Sequence, residues 1–250
     1  MFAAMAMIEE FDKTGNTFFK YRSYIPLAMY VLAVAVLALD AKNNFITPGN
    51  PMWSYIALGV SVFGMIIRFL VIGFVPKSTS GRNTKEQVAD TLNTEGIYKT
   101  VRHPLYVGNY FMWLGLILYV GNVWFILVAT LLYWLYYERI MFAEEAFLRR
   151  KFGDTYLKWS EHVPVFVPHF WKFSSPNLDF SMRNILKREY AGFLATFVSF
   201  AFIDLTKSYF QTQELNISHF WLHGTVIALV VAGTLKGLKK FTRVLEVEGR

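Results

Sequence analysis

Two apolar runs adjoin within residues 105–137, LYVGNYFMWLGLILYVGNVWFILVATLLYWLYY. Only Gly121-Asn122 separates them, and this pair of residues is typical of a tight turn. Each run approaches the roughly 17 to 20 residues with which a helix crosses a bilayer, and flanking aromatic residues extend both. The stretch therefore predicts two antiparallel membrane helices joined by a short turn.

The rest of the chain has the same apolar character. Of its 250 residues, 54% are hydrophobic and 17% are charged, which is too apolar for an ordinary soluble domain. The first residues, MFAAMAMIEEFDK, lack the basic start and long apolar segment of a signal peptide. We predict an all-α integral membrane protein with about six transmembrane helices. The predicted spans are Ile25–Leu39, Trp53–Val75, Leu105–Val120, Val123–Tyr137, Tyr190–Ile203 and Phe220–Leu235.

The basic residues predict an orientation. With six spans, every Lys and Arg except Lys42, Lys207 and Arg68 falls on one side of the membrane. Loops rich in Lys and Arg stay in the cytosol, so both termini and the two large loops are predicted to be cytosolic. The net charge of +7 is explained by topology and anionic lipid, without nucleic acid. We expect the bacterial inner membrane in preference to the endoplasmic reticulum.

Several classes of site are excluded by composition. The chain has no cysteine, which removes disulfides and thiolate chemistry. His219 and His223 are spaced i,i+4, but two histidines supply too few ligands for a metal, so no metal is expected. GxGxxG, GxxxxGK[ST] and GxSxG motifs are absent from the sequence, and no doubly wound nucleotide-binding domain fits.

Polar residues flank the predicted hairpin on its cytosolic side. Arg102 and His103 precede Pro104, whose missing N–H costs nothing at the first position of a helix. Glu144 and Glu145 lie in a helical stretch after the fourth span, which Gly153-Asp154 ends or interrupts. Because the hairpin returns the chain to the side it left, these groups should meet. We predict a cytosolic-face pocket built from the loop before span three and the helix after span four.

Two sequence motifs carry a family resemblance. They are GIYKTVRHPLYVGN and, about forty residues later, EEAFLRRKFGDTYLKW with VPVFVP. In this order and spacing they resemble the isoprenylcysteine carboxyl methyltransferase and phospholipid methyltransferase superfamily. The resemblance covers about residues 76–172, with motifs at 94–108 and 138–168. It divides the chain into a methyltransferase core, residues 1–175, and a C-terminal extension, residues 176–250, that contributes two further spans.

The resemblance implies a site for the cofactor S-adenosylmethionine. We expect Arg102 and His103 to hold its carboxylate, a glutamate to hold its ammonium group, and tyrosines to contact its adenosine. Gly108 would let the cofactor approach the helix backbone. The implied cofactor-binding residues are Tyr98, Arg102, His103, Pro104, Tyr106, Gly108, Glu144 and Glu145.

An acceptor site is expected nearby. Arg82 and Lys85, in the polar loop at residues 77–93, suit a phosphate or carboxylate headgroup, or form a solvated basic turn. Arg68 lies inside the second span, where a charge is costly and often functional, although it could also extend outward to the interface. Asn109 is expected either at the acceptor or at a helix–helix contact. We predict Arg102, Glu145 and Arg68 as the catalytic residues.

Aromatic residues outside the motifs have a different interpretation. Trp159, Phe170, Trp171 and the Tyr133–Tyr137 cluster are interpreted as packing at the membrane interface, with no part in holding the cofactor.

The resemblance implies transfer of a methyl group to an anionic oxygen, a carboxylate or phosphate, of a membrane lipid or lipidated substrate. Such an acceptor needs no general base, whereas an amine must first lose a proton. Methylation of an amine phospholipid headgroup stays an alternative. So do a nicotinamide-dependent membrane lipid or sterol reductase and a non-catalytic membrane scaffold.

Overall fold

The computed structural model describes residues 6–43, 51–76, 87–176 and 178–249. Within these ranges all regular structure is helical. The eight α-helices are α1 Met7–Lys20, α2 Ala28–Lys42, α3 Pro51–Phe74, α4 Pro104–Val120, α5 Val123–Phe152, α6 Asp154–Ser160, α7 Met182–Thr212 and α8 His219–Phe241. Short 3-10 turns lie at Ile25–Leu27, Gly96–Lys99 and Phe170–Lys172.

Four of the helices that the structure describes are long and apolar enough to cross a bilayer, namely α3, α5, α7 and α8. The apolar helix α4 is shorter, at 17 residues, and α2 has 15 residues. Over the described ranges the prediction of an all-helical structure with helices of membrane-crossing length is confirmed, while the count of six spans and the location of the pocket stay predictions. The apolar runs underestimated two helices, because α5 and α7 continue beyond the predicted spans to 30 and 31 residues.

The predicted turn between α4 and α5 is confirmed. Gly121 has a φ of 86°, a left-handed conformation that glycine adopts without steric cost. Asn122 caps α5, since its side-chain oxygen accepts a hydrogen bond from the Phe125 N–H at 2.9 Å. At the far end of α5, Gly153 has a φ of 52° and separates α5 from α6, as the Gly-Asp pair predicted.

Helices α3 and α4 pack unusually close together. A Cβ on Gly64 would lie 2.6 Å from the Met112 backbone nitrogen, and a Cβ on Gly115 would collide with Ser61 and the Ala57 carbonyl. Ser61 also donates a hydrogen bond to the Met112 carbonyl at 2.7 Å. Small residues at such positions let membrane helices approach and gain van der Waals contact.

The C-terminal helices pack against this pair. Helix α7 contacts α2, α3 and α4, and α8 contacts α7. Near the start of α7, the Asn184 side chain donates a hydrogen bond to the Ile72 carbonyl at 2.7 Å. Near its other end, Tyr119 of α4 donates to Asp204 at 2.6 Å. Both bonds join the residues predicted as an extension to those predicted as the core.

Candidate functional site

The turn before α4 is fixed by backbone hydrogen bonds. The Arg102 N–H donates to the Pro164 carbonyl at 2.8 Å, and the His103 N–H donates to the Val165 carbonyl at 3.3 Å. Pro104 occupies the first turn of α4 and starts the helix without needing an N–H partner. The segment containing VPVFVP thereby holds the Arg-His pair in one orientation.

The paired glutamates meet this turn. Arg102 Nη1 lies 2.7 Å from Glu145 Oε2, and His103 Nε2 lies 2.9 Å from Glu145 Oε1. The second ring nitrogen of His103, Nδ1, lies 3.6 Å from Glu144 Oε2. Residues more than forty positions apart thus form one compact group of two cations and two carboxylates.

The charge of His103 follows from these neighbours. Burial alone would lower its pKa, because desolvation disfavours the imidazolium. The hydrogen bonds and charges of Glu144 and Glu145 outweigh burial and raise the pKa of His103 to about 9. A raised pKa favours protonated His103 at neutral pH, in which Nε2 donates a hydrogen bond to Glu145 and Nδ1 faces Glu144 at ion-pair distance.

A second polar group lies deeper in the helices. Arg68 of α3 donates from Nε and Nη2 to the two carboxylate oxygens of Glu189 of α7, both at 2.8 Å. Arg68 Nη1 donates to Asn109 Oδ1 at 2.6 Å. Asn109 follows His103 by six residues on α4, which places this group about 9 Å further along the helix axis.

One cavity of about 280 Å³ joins the two polar groups. Its volume is near the lower end of the range for small-molecule sites. The predicted site residues that line it are Arg68, Tyr98, Arg102, His103, Pro104, Tyr106, Asn109 and Glu144. Burial raises the pKa of Tyr98, so its phenol stays protonated and can donate a hydrogen bond to a ligand.

The remaining predicted residues lie elsewhere. Glu145 sits behind the cavity wall and holds Arg102 and His103. Gly108 lies at the contact between α4 and α3, where a Cβ would come 2.6 Å from Arg68 Cγ. The small size of Gly108 thus accommodates α3. Arg82 and Lys85 lie outside the described residues.

Sequence reasoning missed several residues of the cavity wall. Glu189 and Arg188 line it from α7, and Arg22 lines it from the segment after α1. Trp159, interpreted as interface packing, lines it too. A carboxylate at the start of an apolar run was the available signal for Glu189, but the predicted span began one residue later, at Tyr190.

Two unsatisfied donors support binding of a ligand rich in acceptors. Arg102 Nε and Trp159 Nε1 are buried and have no hydrogen-bond partner within the described residues, and both side chains line the cavity. A buried donor without an acceptor costs roughly 1 to 3 kcal/mol, so a carboxylate or a heterocyclic nitrogen bound here would relieve that cost. The glutamates add acceptors for an ammonium group, and these residues fit S-adenosylmethionine.

Metal binding finds no support at this site. Among the residues that the structure describes, no three His, Cys, Asp or Glu side chains converge as a metal site would require.

The described residues form a helical protein with helices of membrane-crossing length and a cavity lined by polar side chains near several helix ends. Residues 53–155 match the model of the family described as phospholipid methyltransferase. This match confirms the resemblance drawn from the two motifs, and it covers about two fifths of the chain. The matched region runs from α3 to the start of α6, whereas α7 and α8 lie outside it.

Individual relatives have related names. A protein-S-isoprenylcysteine O-methyltransferase from Schizosaccharomyces pombe is 35% identical over 114 residues, which cover 45% of this chain and 48% of the relative. The enzyme of that name from Xenopus laevis is 30% identical over 121 residues, covering 46% and 40%. A probable one from Oryza sativa subsp. indica is 28% identical over 149 residues, covering 56% and 75%.

The chain spans less than half the length of the first two of these relatives. No solved structure matches the chain.

Proposed function

We propose that the chain is an S-adenosylmethionine-dependent methyltransferase acting on an anionic oxygen of a membrane lipid or lipidated substrate. The observation that carries the proposal is the joining of Arg102 and His103 to Glu144 and Glu145 beside one cavity. The relatives are named O-methyltransferases, which supports oxygen as the acceptor atom.

The residues divide the work by position. S-adenosylmethionine, when bound, would supply a methyl group on a sulfonium sulfur for transfer to the acceptor oxygen, with the C–S electron pair left on sulfur. Arg102 and Trp159 present donors to the amino acid carboxylate. Glu144, whose side chain is 32% exposed, presents an acceptor to the ammonium group. Glu145 orients Arg102 and His103 and so keeps these groups in place.

The hydrogen bonds that Glu145 and Glu189 already accept favour an anionic acceptor over an amine. Both oxygens of Glu145 are taken by Arg102 and His103, and both oxygens of Glu189 are taken by Arg68. Neither of these two carboxylates is therefore ready to remove a proton from an amine, and the third, Glu144, is assigned to the ammonium group of the cofactor. A carboxylate or phosphate oxygen needs no such base.

The charge of the wall points the same way. Among the described residues that line the cavity, four are arginines, Arg22, Arg68, Arg102 and Arg188, and two are glutamates, Glu144 and Glu189. An anionic headgroup is attracted to such a cavity, and joining it to a sulfonium removes charge along the reaction path in a water-poor site.

The helix ends that surround the cavity indicate on which side of the membrane it lies. The cavity lies at the ends of α3 and α5 and the starts of α4 and α7, on the side where most Lys and Arg occur. The excess of basic residues supports a cytosolic location of this side. We propose that the acceptor enters from the inner leaflet and that the cofactor enters from the cytosol.

Methyl transfer to defined acceptors tests the proposal. Purified protein in lipid nanodiscs is incubated with methyl-labelled S-adenosylmethionine and one acceptor at a time, and products are identified by mass. The acceptors are an S-prenylated cysteine with a free carboxylate, its carboxamide as control, an anionic phosphomonoester lipid and an amine phospholipid. We expect label on oxygen of an anionic acceptor and none on the carboxamide. Label on nitrogen alone supports the amine alternative, and absence of both labelling and cofactor binding contradicts the enzyme proposal.

A further inference from the structure

Helix α7 contributes a carboxylate to the deep end of the cavity, although it lies outside the region that matches the family. Glu189 forms a two-bond contact with Arg68, and its side chain is 6% exposed. Arg68 is 20% exposed and lines the cavity. The guanidinium is thus held on one edge by α7 while part of it faces the cavity.

The donors of Arg68 are only partly used. A guanidinium has five N–H groups. Two bond Glu189 and one bonds Asn109, which leaves two beyond the hydrogen bonds recorded within the described residues. Because its guanidinium is already held, the Arg68 side chain loses little further rotamer freedom when it binds an oxyanion.

Without Glu189, Arg68 would not stay in this position. It lies six residues before the end of α3 at Phe74, about 9 Å from the helix end. An arginine at that depth extends its side chain toward the interface unless a partner holds it. Glu189 accepts two hydrogen bonds from Arg68 and Asn109 accepts one, so Glu189 is the main partner that holds the guanidinium beside the cavity.

The start of α7 is fixed at the level that this contact requires. The Ser181 N–H donates to the Gly73 carbonyl at 2.9 Å, and the Asn184 side chain donates to the Ile72 carbonyl at 2.7 Å. Both bonds join the start of α7 to the end of α3. Glu189 follows one to two turns later, on a helix whose register relative to α3 is set.

We propose that α7 completes the acceptor site and that Glu189 is a positioning residue, which holds Arg68 so that it binds the oxyanion of the acceptor. The inference rests on the proposed methyl transfer and assigns its two ends. The Arg102 group holds the cofactor near the surface, and Arg68 holds a carboxylate or phosphate about 9 Å deeper. The C-terminal helices are then part of the reaction site.

The variant Glu189→Gln tests this role against a matched control, Asp204→Asn. Asp204 is on the same helix and also accepts a hydrogen bond from a buried partner, Tyr119, but lies far from the cavity. For Glu189→Gln we expect the KM of the anionic acceptor to rise about tenfold or more, with the Kd of S-adenosylmethionine changed by less than about twofold. For Asp204→Asn we expect lower thermal stability and unchanged kinetic constants.

A second readout does not require the cofactor. Acceptor lipid alone, the S-prenylated cysteine in one arm and the phosphomonoester lipid in the other, should raise the Tm of the parent protein in at least one arm. The same lipid should give a smaller rise for Glu189→Gln. The arm that responds identifies the source of the anion. Equal rises for parent and variant in both arms overturn the proposal.

A double variant keeps the proposal testable if Glu189→Gln fails to fold. Replacing both Arg68 and Glu189 by Leu removes both charges together and should restore a folded protein if Glu189→Gln alone unfolds it. We expect this double variant to keep cofactor binding and to lose acceptor methylation. Methylation by the double variant at the wild-type level overturns the proposal. So does a result in which Glu189→Gln and Asp204→Asn both lose activity in proportion to their loss of thermal stability. A parent protein that methylates no acceptor contradicts the proposed function itself.

Discussion

Arg102 Nη1 lies 2.7 Å from Glu145 Oε2, although 43 residues separate them in the chain. The same carboxylate accepts a hydrogen bond from His103, so one glutamate of α5 fixes both residues of the Arg-His pair. The α4–α5 turn at Gly121-Asn122 makes this meeting possible because it returns the chain to the side it left. A local sequence feature thereby determines a long-range contact.

Protonation of His103 should make stability depend on pH. Folding raises its pKa from 6.5 to about 9, so its contribution is fully present below pH 6.5 and is lost as pH rises through 9. The contribution is on the order of 3 kcal/mol. Thermal unfolding of the parent and His103→Gln between pH 6 and 10 should show the parent losing Tm faster in this window. Parallel curves would show that the charge of His103 does not stabilise the fold.

The close contact of α3 and α4 should not tolerate a larger residue. Gly115→Val places side-chain atoms against Ser61 and the Ala57 carbonyl, and we expect a loss of about 1 to 3 kcal/mol in the free energy of unfolding. Gly233→Val on α8 is the control, because a Cβ there meets no atom within 4 Å. Thermal unfolding of both variants checks the prediction. Similar Tm values for the two variants would mean that α3 and α4 are not in tight contact.

The indole N–H of Trp159 should contribute to cofactor affinity. Trp159→Phe keeps an aromatic ring but removes the buried donor, and we expect S-adenosylmethionine to bind about 3- to 10-fold more weakly. Trp171→Phe is the control, since Trp171 is 78% exposed. Isothermal titration calorimetry of both variants measures the difference. Unchanged affinity in Trp159→Phe would exclude a hydrogen bond from its indole to the cofactor.

The sequence predicted those parts of the molecule that depend on local chemistry. Gly121-Asn122, the helix start at Pro104 and the break at Gly153 each follow from backbone preferences of single residues. The Arg102–Glu145 contact followed from one turn and two motifs. The helical stretch that ends before Gly153 was predicted, but not that it continues the fourth span as one helix, because hydropathy detects the apolar part of a helix and not its extension into polar surroundings.

Arg68 and Asn109 were predicted for the deep end of the site, but their partner Glu189 could not be, for a different reason. The Arg68–Glu189 contact depends on the register of α7 against α3, which backbone bonds such as Ser181 to Gly73 determine. No local pattern encodes that register. The packing of α3 against α4 also explains the position of Gly108. Its place in a cofactor motif suggested contact with a ligand, but in the structure a Cβ at this position would meet Arg68 of α3.

The most direct test compares S-adenosylmethionine binding by the parent, Glu145→Gln and Glu138→Gln. Both variants replace a glutamate of α5 by glutamine. The side chain of Glu138 is 47% exposed, and its Oε2 lies 3.9 Å from Nη1 of the adjacent Arg139. Removing the charge of Glu145 should release Arg102 and His103 and weaken the calorimetric Kd by about tenfold or more, whereas Glu138→Gln should bind as the parent does. A Kd for Glu145→Gln equal to that of the parent would contradict the account that these residues build the cofactor site.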